Sequence, residues 1–196
     1  MTKKLISGIL AMILLITGIV LPVSAKSSDE DKLKKKLSAV YEECSERGWG
    51  GAVDIQYSFA DINGDGSKEM LCYDKGDPWS YGYVFGVVDG KAKKIISKTF
   101  HMYPERMSAT NPVYYKKSKV IRVSYVYETE SIDYYMKWTG KKYKVKASHS
   151  TSVTGDDVYK IGNKTVTKKK YTKYVKKLRG SGGKKVSSLK WKSYEP

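Results

Sequence analysis

Val53-Asp54-Ile55-Gln56-Tyr57-Ser58-Phe59-Ala60, Asp61-Ile62-Asn63-Gly64-Asp65-Gly66-Ser67-Lys68-Glu69 and Met70-Leu71-Cys72-Tyr73 form one continuous stretch. Val53, Ile55, Tyr57 and Phe59 alternate with smaller or polar residues, the period of a half-buried strand. Met70 to Tyr73 is a second apolar run. Between them lie nine residues rich in Asp, Asn and Gly, a composition that turns the chain sharply. The stretch therefore predicts a strand–loop–strand hairpin, and the rest of the chain is read outward from it.

The loop places oxygen-bearing side chains at its positions 1, 3, 5 and 9, with glycine at 4 and 6. A hard cation such as Ca2+ takes about six to eight oxygen ligands at roughly 2.3–2.6 Å. Alternate residues can supply them if the backbone bends inward, and Gly66, lacking a Cβ, permits the bend. Asp61, Asn63, Asp65 and Glu69 are the expected side-chain ligands, and Ser67 the expected carbonyl ligand. Without an ion, the same residues would still make a good turn.

The pattern resembles the D-x-[DN]-x-D-G-x-x-D calcium loops of the FG-GAP, integrin-type family, with Glu69 at the last position. It is EF-hand-like over its first half only. An EF-hand needs a glutamate at position 12, and here that residue is Cys72. The resemblance covers about residues 52 to 75 and implies one calcium site of structural kind. It does not imply a propeller, because one blade needs roughly 40–50 residues.

Upstream, Lys3 and Lys4 precede an apolar run from Leu5 to Val20 and a small-residue site at Val23-Ser24-Ala25. This layout predicts a signal peptide over 1–25 and a secreted, extracellular chain over 26–196, soluble or held at the cell wall, with no further transmembrane segment. An extracellular site meets millimolar calcium. With a dissociation constant near 10⁻⁴ M, binding would add about 1.5 kcal/mol of stability. The two cysteines, Cys44 and Cys72, fall in the exported part, where a disulfide and two buried thiols are both open.

The fold expected is α+β in one domain: an N-terminal helix, an antiparallel β meander carrying the calcium-loop hairpin, and a C-terminal amphipathic helix. Leu33, Leu37, Val40, Tyr41 and Cys44 recur at helical spacing from about Asp29 to Arg47, with Ser28 or Asp29 as cap and Gly48 as terminator. Tyr-, Val- and Ile-rich segments with recurrent turn signals run from Ala52 to about Ser148. Asp89-Gly90 would join Tyr83–Val88 to Ala92–Lys98 in a hairpin. Val120–Tyr127, Ile132–Trp138 and Tyr143–Ala147 would follow. Tyr171, Tyr174, Val175 and Leu178 share one face of a helix over Lys168–Leu178, capped by Thr167. Leu189, Trp191 and Tyr194 would form an edge strand or stay loose.

The net charge of +17 is lopsided. Residues 26–139 carry eighteen basic and seventeen acidic side chains, residues 140–196 seventeen and three. Such a field attracts anionic cell-wall polymers or lipid headgroups, with a strength that falls as salt rises. Lysine far outnumbers arginine, which argues against nucleic acid as partner, since arginine is the usual base reader.

Catalytic signatures are thin, and the chain is read as no enzyme. His101 and His149, the only histidines, lie outside zinc spacings, and a Cys72–His pair has no local support. There is no G-x-S-x-G elbow and no phosphate-cradling loop. Asp74, Asp77, Asp89, Glu105, Glu128 and Glu130 could serve a hydrolase of wall glycans, but none stands out. The chain resembles small Lys/Tyr-rich secreted proteins of low-GC Gram-positive bacteria in composition and layout. The reading is a secreted calcium-binding module for adhesion at the cell envelope. Trp79, in Asp77-Pro78-Trp79 beside the hairpin, is a candidate glycan contact. A secreted hydrolase is the alternative.

Overall fold

The structure is a computed structural model and describes residues 28–47, 52–102 and 111–196. The expected leader over 1–25 and the terminator Gly48 lie outside the described residues.

Two helices open the described chain, α1 (Asp29–Lys34) and α2 (Lys36–Glu46), with Lys35 between them. Ser28 starts α1 through a reciprocal cap. The Asp31 N–H donates to Ser28 Oγ and the Ser28 N–H donates to Asp31 Oδ2, an arrangement worth about 1 kcal/mol.

Twelve strands follow among the described residues. β1 (Ile55–Ala60), β2 (Glu69–Asp74), β3 (Gly82–Val88) and β4 (Lys91–Lys94) run in sequence; after them come β5 (Val113–Tyr115), β6 (Val120–Tyr127), β7 (Glu130–Trp138) and β8 (Tyr143–Ser152). β9 (Asp157–Ile161), β10 (Lys164–Thr165), α3 (Lys168–Arg179), β11 (Lys184–Lys185) and β12 (Lys192–Ser193) complete the order. They build two antiparallel sheets, β12-β1-β2-β3-β4 and β10-β9-β8-β7-β6-β5-β11.

This corrects the expected fold class. The protein is mostly β, in two sheets, not an α+β domain on one meander. The break comes after β4. Ile95, Ile96, Phe100 and Met102 are all buried, and their spacing does not alternate. They cross the space between the sheets, where both sides are apolar, so the strand expected to reach Lys98 ends at Lys94. His101 bridges the sheets, pairing with Tyr81 on one side and Ser124 on the other. The short tail strands join different sheets: β11 pairs with β5, and β12 with β1.

β2 is buried along its whole length and shows how the layers meet. Leu71 and Tyr73 join the core between the sheets, with Val84, Phe100, Ile121, Val123 and Met136. Met70 and Cys72 point the other way, against Leu33, Leu37, Val40 and Cys44 of the N-terminal helices. Alternation thus serves two cores at once. On the second sheet, α3 packs Tyr171 and Val175 against Ala147 and Tyr159. Its cap is Thr167, whose Oγ1 accepts from the Lys170 N–H.

Asp89 (φ 53°) and Gly90 (φ 74°) turn β3 into β4. Both residues lie in the left-handed region, as a two-residue type I′ hairpin turn requires.

Candidate functional site

The Asp/Asn/Gly loop joins β1 to β2, whose register closes at Ala60 opposite Glu69. Its acceptors are wired to its own backbone. Asp61 Oδ1 accepts from the Gly64 N–H at 2.7 Å and Oδ2 from the Gly66 N–H at 3.2 Å. Asn63 Oδ1 accepts from the Asp65 N–H, and Asp65 Oδ1 from the Ser67 N–H, both at 2.9 Å. These side chains hold the successive turns of the loop. Asp65 and Ser67 are exposed at its rim.

Glu69 lies at the base, 3% exposed. Its Oε2 accepts from the Ile62 N–H at 2.9 Å, and its Oε1 from Asn63 Nδ2 at 2.6 Å. Burial pushes its carboxyl up to about 7, and the nearby charges of Asp65 and Asp61 push in the same direction. Glu69 is thus a buried position that resists negative charge, and the charges of Asp65 and Asp61 add to the effect.

Two residues of the second sheet face this loop, and neither was expected from sequence. Lys116, in the 3-10 turn after β5, places Nζ 2.7 Å from Asp61 Oδ2. Tyr143, at the start of β8, is 2% exposed, and its hydroxyl has no hydrogen-bond partner. Burial, and then the charges of Glu69, Asp65 and Asp61, hold that phenol well above its ordinary range. It is a protonated donor beside the carboxylates. No local pattern pointed to either residue, because both reach the loop through sheet-to-sheet packing.

The expected ligands therefore share one loop, but they are not drawn into a closed shell. Among the described residues, no three or more His, Cys, Asp or Glu side chains form a metal-holding group. The donor set nonetheless suits a hard cation. Its atoms are carboxylate, amide and carbonyl oxygens, and the Lys116 ammonium, paired with Asp61 and within electrostatic reach of Glu69, already stands where positive charge is wanted.

The other sequence candidates hold local structure. Asp74 Oδ1 accepts from the Asp54 and Gly76 N–H groups, and Asp77 Oδ1 from that of Trp79. Asp89 pairs with Lys93. Glu105 lies outside the described residues. Cys44 and Cys72 are buried free thiols. Burial pushes Cys44 up to about 11 and Cys72 higher still, which makes both poor nucleophiles.

His149 stacks flat on Tyr159 with ring centroids 4.5 Å apart. Asp157 and Thr151 both approach the same ring nitrogen, at 2.8 and 3.3 Å. Thr151 donates to Asp157, not to the histidine, so no hydroxyl–imidazole–carboxylate relay forms. The His149 hydrogen bond holds the Asp157 carboxyl well below the usual carboxylate range.

On α3, Lys168, Lys169, Lys170, Lys173, Lys176 and Lys177 are exposed. Its apolar side is turned inward, with Tyr171 and Val175 buried. No helix of the described residues is long and apolar enough to cross a membrane. Trp79 is half-buried and stands 6.2 Å from Tyr127 and 6.1 Å from His101. It belongs to an aromatic group that the sequence had shown only as a lone tryptophan. No protein-family model, no curated protein and no solved structure matches this chain.

Proposed function

We propose that this is a secreted calcium-binding protein that attaches, without catalysis, to anionic polymers of the cell envelope. The observation that carries the calcium part is Glu69, a buried carboxylate placed beside Asp61 and Asp65 in a loop whose glycines Gly64 (φ 73°) and Gly66 (φ 93°) curl the backbone inward. A bound Ca2+ would supply the positive charge that lets Glu69 ionise. Asp61, Asn63, Asp65 and Glu69 would hold it by side chain and Ser67 by its carbonyl. Asn63 would turn its amide away from Glu69, and Lys116 would yield Asp61. The ion's role is structural, since it would clamp β1 to β2.

The envelope part rests on charge. Residues 140–196 hold seventeen basic side chains against three acidic, and α3 presents six of its lysines to solvent. Lysines carried this way act as point charges for phosphate- or carboxylate-bearing polymers and anionic headgroups. With the apolar side of α3 buried, wall polymer is the better fit and insertion into lipid the poorer.

Calorimetry of Ca2+ into chelator-stripped protein tests the first part, with Asp65→Ala alongside. One saturable site, lost in the variant and accompanied by a higher melting temperature, is the expected result. No heat and no stabilisation at several millimolar Ca2+ would reduce the loop to a turn. Retention on anionic wall material that salt releases tests the second part.

A further inference from the structure

A cleft of about 580 Å3 opens where α2, the first sheet and β6 of the second sheet meet. Glu43 and Arg47 line it from the helix, Tyr81 and Tyr83 from β3 and its approach, and Lys94 and Tyr125 from β4 and β6. Its size is that of a small-ligand site. None of these residues belongs to the Asp61–Glu69 loop.

The polar groups are fixed in place. Arg47 Nη2 donates to Tyr83 Oη at 2.6 Å and also pairs with Glu43. The Tyr83 hydroxyl donates to Glu43 Oε1 at 3.1 Å. The guanidinium lies 5.0 Å from the Tyr81 ring centre and 5.8 Å from that of Tyr83. Lys94 Nζ stands 4.7 Å above Tyr83. Arg47 Nη1 is buried and has no hydrogen-bond partner.

From the cleft an aromatic strip runs outward over the sheet junction. Tyr81 and Tyr125 flank His101 at 5.4 and 5.1 Å. Tyr125 and Tyr127 stack nearly parallel, 6.5 Å apart and 4° off plane, and Trp79 adjoins Tyr127. Tyr127 is 49% exposed. Aromatic rings held at such spacing by the backbone lose little freedom when a flat ligand settles on them.

We infer that this cleft and strip bind a glycan, the pyranose rings lying on Tyr125, Tyr127 and Trp79 and one unit entering the cleft beside the Arg47–Glu43 pair. The chemistry selects this class. A sugar ring offers an apolar C–H face to an aromatic ring and a rim of hydroxyls that both donate and accept. The cleft answers with a carboxylate acceptor, a guanidinium donor and tyrosine hydroxyls. A phosphate-bearing strand could pair with Arg47 and Lys94, but Glu43 would face it with like charge and its phosphates would leave the aromatic strip unused. The site lies apart from residues 140–196 and from the Asp61–Glu69 loop, and so goes beyond the proposed function.

The test is calorimetry of the full chain with two soluble probes, cellotetraose and the tetramer of β-1,4-linked N-acetylglucosamine, in chelator. The expected result is saturable binding of at least one, weakened about tenfold or more in Tyr125→Ala and in Tyr127→Ala. Tyr127 is exposed enough for its variant to fold, which unchanged melting would verify. Asp65→Ala should bind the sugar as the parent does, so loss of the calcium site and loss of the glycan site are read separately. No binding of either sugar up to about 10 mM overturns the inference. So does sugar binding that folded Tyr125→Ala and Tyr127→Ala leave unchanged, or binding of tripolyphosphate in place of sugar that Arg47→Gln abolishes.

Discussion

The ammonium of Lys116 stands 2.7 Å from Asp61 Oδ2 and ties the loop of the first sheet to the second. The pair raises the Lys116 pKa, while the Asp61 carboxyl is held down by Lys116 and by the Gly64 and Gly66 N–H groups against the opposing effect of burial. Lysine and a bound cation would compete for one carboxylate. Lys116→Met should therefore tighten calcium binding, by up to about fivefold, the equivalent of an exposed ion pair. Calorimetry on both proteins at low salt checks this, and weaker binding in the variant would contradict it.

Glu69 gives the calcium-free protein a pH dependence of definite sign. Its folded pKa is about 7, raised from an ordinary 4.5. Below pH 4.5 the carboxyl is neutral in both states and imposes no penalty. Between 4.5 and 7 the unfolded chain sheds the proton that the folded one keeps, so stability falls as pH rises. Glu69→Gln should match the parent near pH 4 and exceed it at pH 8 by up to about 3 kcal/mol in chelator. Denaturant melts across that range decide it. In saturating Ca2+ the order should reverse.

Gly64 and Gly66 separate two reasons for glycine. Both have positive φ, but a Cβ on Gly64 would lie 2.7 Å from the Lys116 carbonyl oxygen, whereas one on Gly66 meets nothing within 4 Å. Gly66→Ala should cost about 1–2 kcal/mol, the strain of a left-handed alanine. Gly64→Ala should cost clearly more, because a backbone atom has to move. Urea midpoints of the two variants give the comparison.

Leu71 is fully buried between the sheets. Leu71→Ala should lose about 2–5 kcal/mol from lost transfer free energy and the cavity left behind. Unfolding by denaturant measures it, and a loss under about 1 kcal/mol would mean that the two sheets are not packed as described.

The alternation of Ile55, Tyr57 and Phe59 and the Asp/Gly chemistry of the loop made the β1–β2 hairpin readable, and Asp89-Gly90 did the same for β3–β4. Helical spacing with Ser28 and Thr167 as caps marked both helical regions. The assembly was not readable. The tail was expected to form an edge strand or stay loose, and Lys192–Ser193 is an edge strand on β1, while Lys184–Lys185 is a two-residue strand with no periodic signal. Their places come from partners far away in the chain. Asp157–Ile161 was missed as well, because Asp157 and Lys160 interrupt Val158, Tyr159 and Ile161 and leave no alternation to read. In the site, the loop residues stood together in sequence, while Lys116 and Tyr143 arrive only through the packing of one sheet on the other. Trp79 was visible singly. Its neighbours Tyr81, Tyr125 and Tyr127 come from two separate stretches, and only the His101 bridge sets them side by side.

Gln56 pairs across the sheet with Ser193, 137 residues later. Through most of synthesis, β1 therefore has one edge of bare N–H and C=O groups with nothing to cover it. The nascent chain can settle its helices and its hairpins early, but the first sheet has to wait for residues 192–193. An amino-terminal two-thirds of this protein, however well it collapses, would keep a strand open to any other copy in the same condition.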